Sequence, residues 1–116
     1  MIGPLAENSN LVSINLSSND ISMTGAIKLL QLLRVHPSIT SIDISSIDSH
    51  NTNRLGILGA QACAKLLQYN PVVSMLNIYG TSIGARGLLK ICKGLLNNTS
   101  LIMLNIGSND IGAAPL

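Results

Sequence analysis

A spacing constrains this chain more than any single residue does. Four copies of one short pattern, Leu11-x-x-Ile14-x-Leu16, Ile39-x-x-Ile42-x-Ile44, Val73-x-x-Leu76-x-Ile78 and Leu101-x-x-Leu104-x-Ile106, begin 28, 34 and 28 residues apart. Ten positions after three of these starts comes another aliphatic, Ile21, Ile83 or Ile111, and the second unit meets its counterpart six residues late, at Leu55. Four positions beyond that aliphatic stands a glycine, Gly25, Gly59 or Gly87, and the next start follows each glycine by 14 residues. One 28-residue unit with a single six-residue insertion thus describes nearly all of the 116 residues. Self-similarity at such a period is the mark of stacked units that bury their apolar faces against one another.

Each unit has two halves. The first alternates apolar and polar residues, as in Leu11 to Ser17, and reads as a short strand. In the second, apolar residues follow the glycine at +1, +4, +5 and +8, which makes one stripe on a helix. These are Ala26, Leu29, Leu30 and Leu33, then Ala60, Cys63, Ala64 and Leu67, then Leu88, Ile91, Cys92 and Leu95. Pro37 and Pro71 punctuate the returns to the next strand. Parallel strands covered on both faces read as continuous apolar runs, whereas here Ser13, Asn15 and Ser17, then Ser41, Asp43 and Ser45, occupy the alternate positions. One face of the sheet is therefore wet, and helices cover the other. The expected fold is an α/β solenoid, a right-handed β-α superhelix with a concave parallel sheet and convex helices. Composition agrees: 47% of residues are apolar but only 2% aromatic, with no Phe or Trp, so the core consists of many similar aliphatics.

The segment Leu11-Val-Ser-Ile-Asn-Leu-Ser-Ser-Asn-Asp-Ile21 resembles the leucine-rich-repeat signature L-x-x-L-x-L-x-x-N-x-L, and Leu101 to Ile111 fits it equally well. The 28-residue period and full helix are similar to the ribonuclease-inhibitor-like subfamily. That resemblance covers the whole chain and implies a tail over 1–10, repeats 11–38, 39–72, 73–100 and a partial repeat 101–116, with the insertion near 48–54. Leu5 to Asn10 match the end of a helical half, and neither end shows a polar capping repeat, so we expect a fragment of a longer solenoid whose apolar ends are covered by further repeats or by neighbouring chains. In this family the signature asparagine turns inward and bonds backbone groups where the strand ends. Counting from each start, its position holds Asn19, Ile47, Thr81 and Asn109. Ile47 cannot do this, so the insertion after it, Asp48 to Arg54, is expected to supply its own backbone partners.

Binding residues are sought on the wet face. Its central column reads Asn15, Asp43, Asn77, Asn105, either a ladder whose members bond one another or a row of groups offered to a partner. Around it lie Ser13, Ser17, Ser41, Ser45, Met75, Tyr79 and Met103. Tyrosine is a common interface anchor, and methionine widens an adaptable apolar patch. The insertion offers a second set, Asp48, His50, Asn51 and Arg54. Asp48 and His50 fall short of a metal site, because two ligands do not fix an ion. Lys28, Arg34, Lys65, Arg86, Lys90 and Lys93 fall in or beside helices, whereas Asp20, Asp43, Asp48 and Asp110 fall at strands or their exits, so the back reads as basic and the front as acidic.

Catalysis finds no footing. Gly80-Thr-Ser-Ile-Gly84-Ala-Arg-Gly87 lacks the Gly-Lys-Ser ending of a phosphate loop, and His36 and His50 lie in different units with no nucleophile pattern. Cys63 and Cys92 both fall on the inward stripe, which favours packing over reactivity and a reducing compartment such as the cytoplasm. The net charge of +2 is too small to steer binding of nucleic acid or a membrane, and no apolar run is long enough to span one. The expected function is a non-enzymatic scaffold binding a protein partner, with no cofactor. The resemblance implies two alternatives: a structural subunit of a cytoskeletal or axonemal assembly, or a small-GTPase regulator of the Ran GTPase-activating type.

Overall fold

Strand pairing follows the repeat residue for residue. The computed structural model describes residues 10–111, in which strands and helices alternate: β1 (Ser13–Asn15), α1 (Met23–Arg34), β2 (Ser41–Asp43), α2 (Gly56–Tyr69), β3 (Met75–Asn77), α3 (Gly84–Leu95) and β4 (Met103–Asn105). The sheet is parallel throughout, in the order β1-β2-β3-β4, and Ile14, Ile42, Leu76 and Leu104 stand level across it. The steps of 28, 34 and 28 are therefore the true register, and the extra residues leave the strands untouched. The helical tail expected before the first strand lies, but for Asn10, outside the described residues, as do residues 112–116.

The core lies between the sheet and the helices. Leu30, Leu33, Ile42, Ile44, Leu67, Leu76, Ile78 and Ile91 are among its fully buried side chains. Burying each Leu or Ile stabilises the fold by about 1.5–3 kcal/mol. Two of the glycines four residues beyond an exit aliphatic, Gly59 and Gly87, have a packing reason. A Cβ on Gly59 would stand 2.6 Å from that of Leu55, and one on Gly87 would stand 2.8 Å from that of Ile83, because each aliphatic folds back over the first turn of its helix. Gly94, on α3, fits only without a side chain, since a Cβ there would strike the Ala64 backbone of α2. In α1 the first turn is closed by Ser22, whose Oγ accepts from the Gly25 N–H at 3.2 Å.

Where the strands end, buried asparagines bond the freed backbone. Asn109 Nδ2 donates to the carbonyls of Ile106 and Gly107 in its own unit and of Ile78 in the unit before, while its Oδ1 accepts from the Thr81 and Ile83 N–H groups. In the second unit Asn53 makes the same set: Nδ2 to Ile44, Ser45 and Leu16, and Oδ1 from the Asn19 and Ile21 N–H groups. The signature position of that unit is thus Asn53 and not Ile47, which is 72% exposed. The insertion accordingly occupies 47–52, and Asn53 takes the place in its unit that Asn19 takes in the first, although Arg54 lacks the positive φ of Asp20. The expectation that this stretch carries its own backbone partner holds, through one residue; its sequence signal is Asn53-Arg-Leu55, the same Asn-x-aliphatic as Asn19-Asp-Ile21 and Asn109-Asp-Ile111. Thr81 takes part of the role, donating from Oγ1 to Ile78 at 2.7 Å. Its backbone carbonyl receives the Leu55 N–H at 2.9 Å.

A second ladder runs along the opposite edge, three residues before each strand pattern. His36 Nδ1 accepts from the Ser38 and Ile39 N–H groups, Asn70 Oδ1 from Val72 and Val73, and Asn98 Oδ1 from Ser100 and Leu101. Asn70 Nδ2 also reaches back to the carbonyls of Leu33, Arg34 and His36, and Asn98 Nδ2 to that of Leu67. Each amide thereby closes the end of the previous helix.

If Asn53 joins the first two units in this way, Asn53→Ala will lower stability by at least about 3 kcal/mol in urea denaturation, because several buried backbone groups lose their partner together. Ile47→Asn, at the position the spacing alone singles out, will stay within about 0.5 kcal/mol of the parent. A mild Asn53→Ala would show that the exits are closed by something else.

Candidate functional site

Register places the expected site residues on one face in three rows. Ser13, Ser41, Met75 and Met103 are level with one another, and so are Asn15, Asp43, Asn77 and Asn105. Ser17 and Tyr79 continue the alternation just past the strands. Ser13, Asn15, Tyr79, Met103 and Asn105 are exposed, while Ser17, Ser41, Asp43, Met75 and Asn77 are half-buried. Ser45 is the exception. It is fully buried, with its Oγ and its N–H both bonded to Asp43 Oδ1, at 2.6 and 3.0 Å. Its hydroxyl is spent on Asp43 and the residue is covered, so Ser45 is not part of the exposed face.

The central row is not a continuous ladder. Its one cross-strand link is Asn77 Nδ2 to Asp43 Oδ2, at 3.4 Å. Each member instead folds back on its own strand: Asn15, Asp43, Asn77 and Asn105 accept through Oδ1 from the N–H two residues on, at 3.0, 3.0, 3.1 and 3.0 Å. These Asx turns hold the side chains in place before any partner arrives. They use one oxygen each and leave the Asn15 and Asn105 amide N–H groups without a partner among the described residues, while the second Asp43 oxygen takes the bond from Asn77. Beside the row, Tyr79 lies so close to Gly107 that a Cβ there would stand 2.9 Å from the ring, yet the tyrosine stays 37% exposed. Its ring is thus braced on one side and open on the other. Met103 beside it is exposed as well.

The insertion closes on itself. Asp48 Oδ1 accepts from the His50 N–H at 2.8 Å and Oδ2 from Asn51 Nδ2 at 3.1 Å. The His50 ring stands 4.0 Å from the same carboxylate. The Ile47 and Asp48 N–H groups both donate to Ser18 Oγ, at 3.0 and 2.9 Å, which lays the loop against the exit of the first strand. Arg54 stands apart from it: its N–H donates to the Ile21 carbonyl at 3.1 Å, and its side chain is exposed. Among the described residues no three of His, Cys, Asp and Glu come together.

The two thiols differ. Cys63 is buried, and loss of hydration pushes its pKa up to about 12, which keeps it neutral and unreactive. Cys92, expected on the inward stripe, is exposed. Its +5 position faces the next helix in sequence: Leu30 and Ala64 are covered there, but no described helix follows α3.

A leucine-rich repeat family model matches residues 7–30 and 97–114. No curated protein is similar enough to register as a match. Among solved structures, that titled leiomodin-1 actin-binding site 2 is similar with a TM-score of 0.74 and 23% identity, covering 85% of this chain and 56% of that one. This chain therefore spans little more than half the length of that structure, and the likeness is one of fold.

A thiol reagent at pH 8 will label Cys92 in the folded protein and leave Cys63 untouched until denaturant is added, as mass spectrometry of the labelled peptides will show. Equal labelling of the two in native buffer would contradict the burial of Cys63.

Proposed function

We propose that this chain, a leucine-rich-repeat protein, is a non-enzymatic scaffold that holds a protein partner on the open face of its sheet. The carrying observation is the row Asn15, Asp43, Asn77 and Asn105, fixed by its own Asx turns and flanked by Tyr79 and Met103. Polar groups held in one geometry lose little freedom on binding, and a braced aromatic supplies contact area at the same small entropic cost. The insertion, lying against Ser18, extends this face at the exit edge. Its Asp48, His50 and Asn51 bond among themselves, so the loop offers a rigid edge and few free ligands.

A place in a cytoskeletal assembly is the second reading, favoured by the likeness to the actin-binding site of leiomodin-1. It makes actin the first partner to assay. No comparable observation supports the small-GTPase reading.

Partner retention separates these ideas. The double variant Tyr79→Ala/Asp43→Ala, checked for fold by circular dichroism, will bind the captured partner about 30-fold more weakly, and Lys90→Ala on the helical back will bind as the parent does. Undiminished binding by the double variant would remove the strand face. Failure to co-sediment with actin filaments and to bind monomeric actin would end the cytoskeletal reading and leave the scaffold reading standing.

A further inference from the structure

A hollow lies on the other edge of the molecule, where the helices end and the chain returns to the strands. It has a volume of about 680 Å³ and lies between the C-terminal ends of α1 and α2, walled by Arg34, Val35, Pro37, Lys65, Tyr69 and Pro71. Two smaller hollows continue it. One of about 350 Å³ climbs the helical back and shares Arg34 and Lys65; the other, about 110 Å³, follows the edge to the next return and shares Tyr69 and Pro71. Together they form one track, with the two cations at one junction and the tyrosine at the other.

We propose that this track is a second docking site, for an extended acidic segment of a partner protein that carries an apolar anchor. Charge commits it to an acidic occupant. Arg34 and Lys65 both face it, and none of the residues lining the three hollows is acidic. The acids among the described residues, Asp20, Asp43, Asp48 and Asp110, lie on the strands or at their exits. Apolar contact calls for an anchor: Tyr69 is 62% exposed and Val35 71% in the same hollow, and the Arg34 guanidinium stands over the Tyr69 ring at 5.7 Å. That cation braces the ring and still presents its outer N–H groups.

The floor argues against recognition by a pattern of hydrogen bonds. Asn70 spends its amide on the Leu33, Arg34 and His36 carbonyls and on the Val72 and Val73 N–H groups, and His36 Nδ1 holds Ser38 and Ile39. Pro37 and Pro71 offer no N–H and stiffen the walls. Within the largest of the three hollows, what remains to select an occupant is charge and apolar shape, and the open path beyond it suits an extended peptide better than a compact ligand. Two cations are too few for a nucleic-acid backbone, whose binding rests on many phosphate contacts.

The test uses a fluorescein-labelled peptide of sequence Glu-Asp-Leu-Glu-Asp-Leu-Glu-Asp, titrated with the full chain and followed by anisotropy and by amide shifts in NMR. The expected result is saturable binding with shifts at residues 34–37 and 69–72, weakened about tenfold by Arg34→Glu/Lys65→Glu and by Tyr69→Ala. Arg34→Gln, which removes the charge without reversing it, will give an intermediate loss. Tyr79→Ala will bind as the parent does, so the fate of this site is independent of the strand face. The proposal is overturned by no binding, by equal affinity in the charge-reversed variant, or by equal affinity for the peptide with both leucines replaced by serine. It is also overturned if sedimentation shows a dimer that Tyr69→Ala dissolves, for the occupant would then be a second copy of this chain.

Discussion

Three-residue strands release their backbone almost at once, and whatever receives those N–H and C=O groups determines whether the coil can turn. In this chain the receiver is a primary amide, because one planar group carries both an acceptor and two donors. Asn53 and Asn109 each bond backbone groups of their own unit and of the one before, and are as much joints between units as turns within them. The parallel register, the short exit and the inward-facing aliphatic that follows all presuppose that bond. Asn70 and Asn98 do the corresponding task at the other edge. The sheet is thus held between two lines of amides, while the side chains of the central row on its open face bond mainly within their own strands.

This division explains why the exposed row is fit for recognition. A buried amide is committed, and its replacement costs stability; an exposed Asx side chain with one bond to its own strand is oriented yet has donors or acceptors to spare. Neighbouring strands stand about 4.8 Å apart, so one residue per unit yields a regular row: amide, carboxylate, amide, amide. Tyr79 and Met103 supply the apolar contact such a row lacks.

Much of this was legible in the spacing. The four strand patterns gave the register, and the stripe at +1, +4, +5 and +8 named the helical faces, because burial between stacked units repeats with the unit. Three residues escaped it for three physical reasons. Asn53 was hidden by counting from the strand instead of from the aliphatic that follows it. Ser45 keeps the position the alternation gives it but is covered there and bonded to Asp43, and burial by neighbours is not written in alternation. Cys92 follows the helical pattern, but its burial depends on a following helix, which a pattern within one unit does not reveal. The furrow at Tyr69 has no periodic signal at all. It arises where Val35 and Tyr69 occupy matching positions in successive units, and only the packing of α1 beside α2 brings them to one hollow.

Gly94 has a geometric consequence. Strands in a stacked sheet advance by about 4.8 Å, whereas helices packed through ordinary side chains sit about 8–10 Å apart, and this mismatch bends a stack of such units into an arc. By letting α3 rest against the Ala64 backbone, Gly94 shortens the outer layer at one step, so the curvature there is gentler than a bulkier residue would impose. A single hydrogen in place of a methyl group thereby sets how wide the open face spreads.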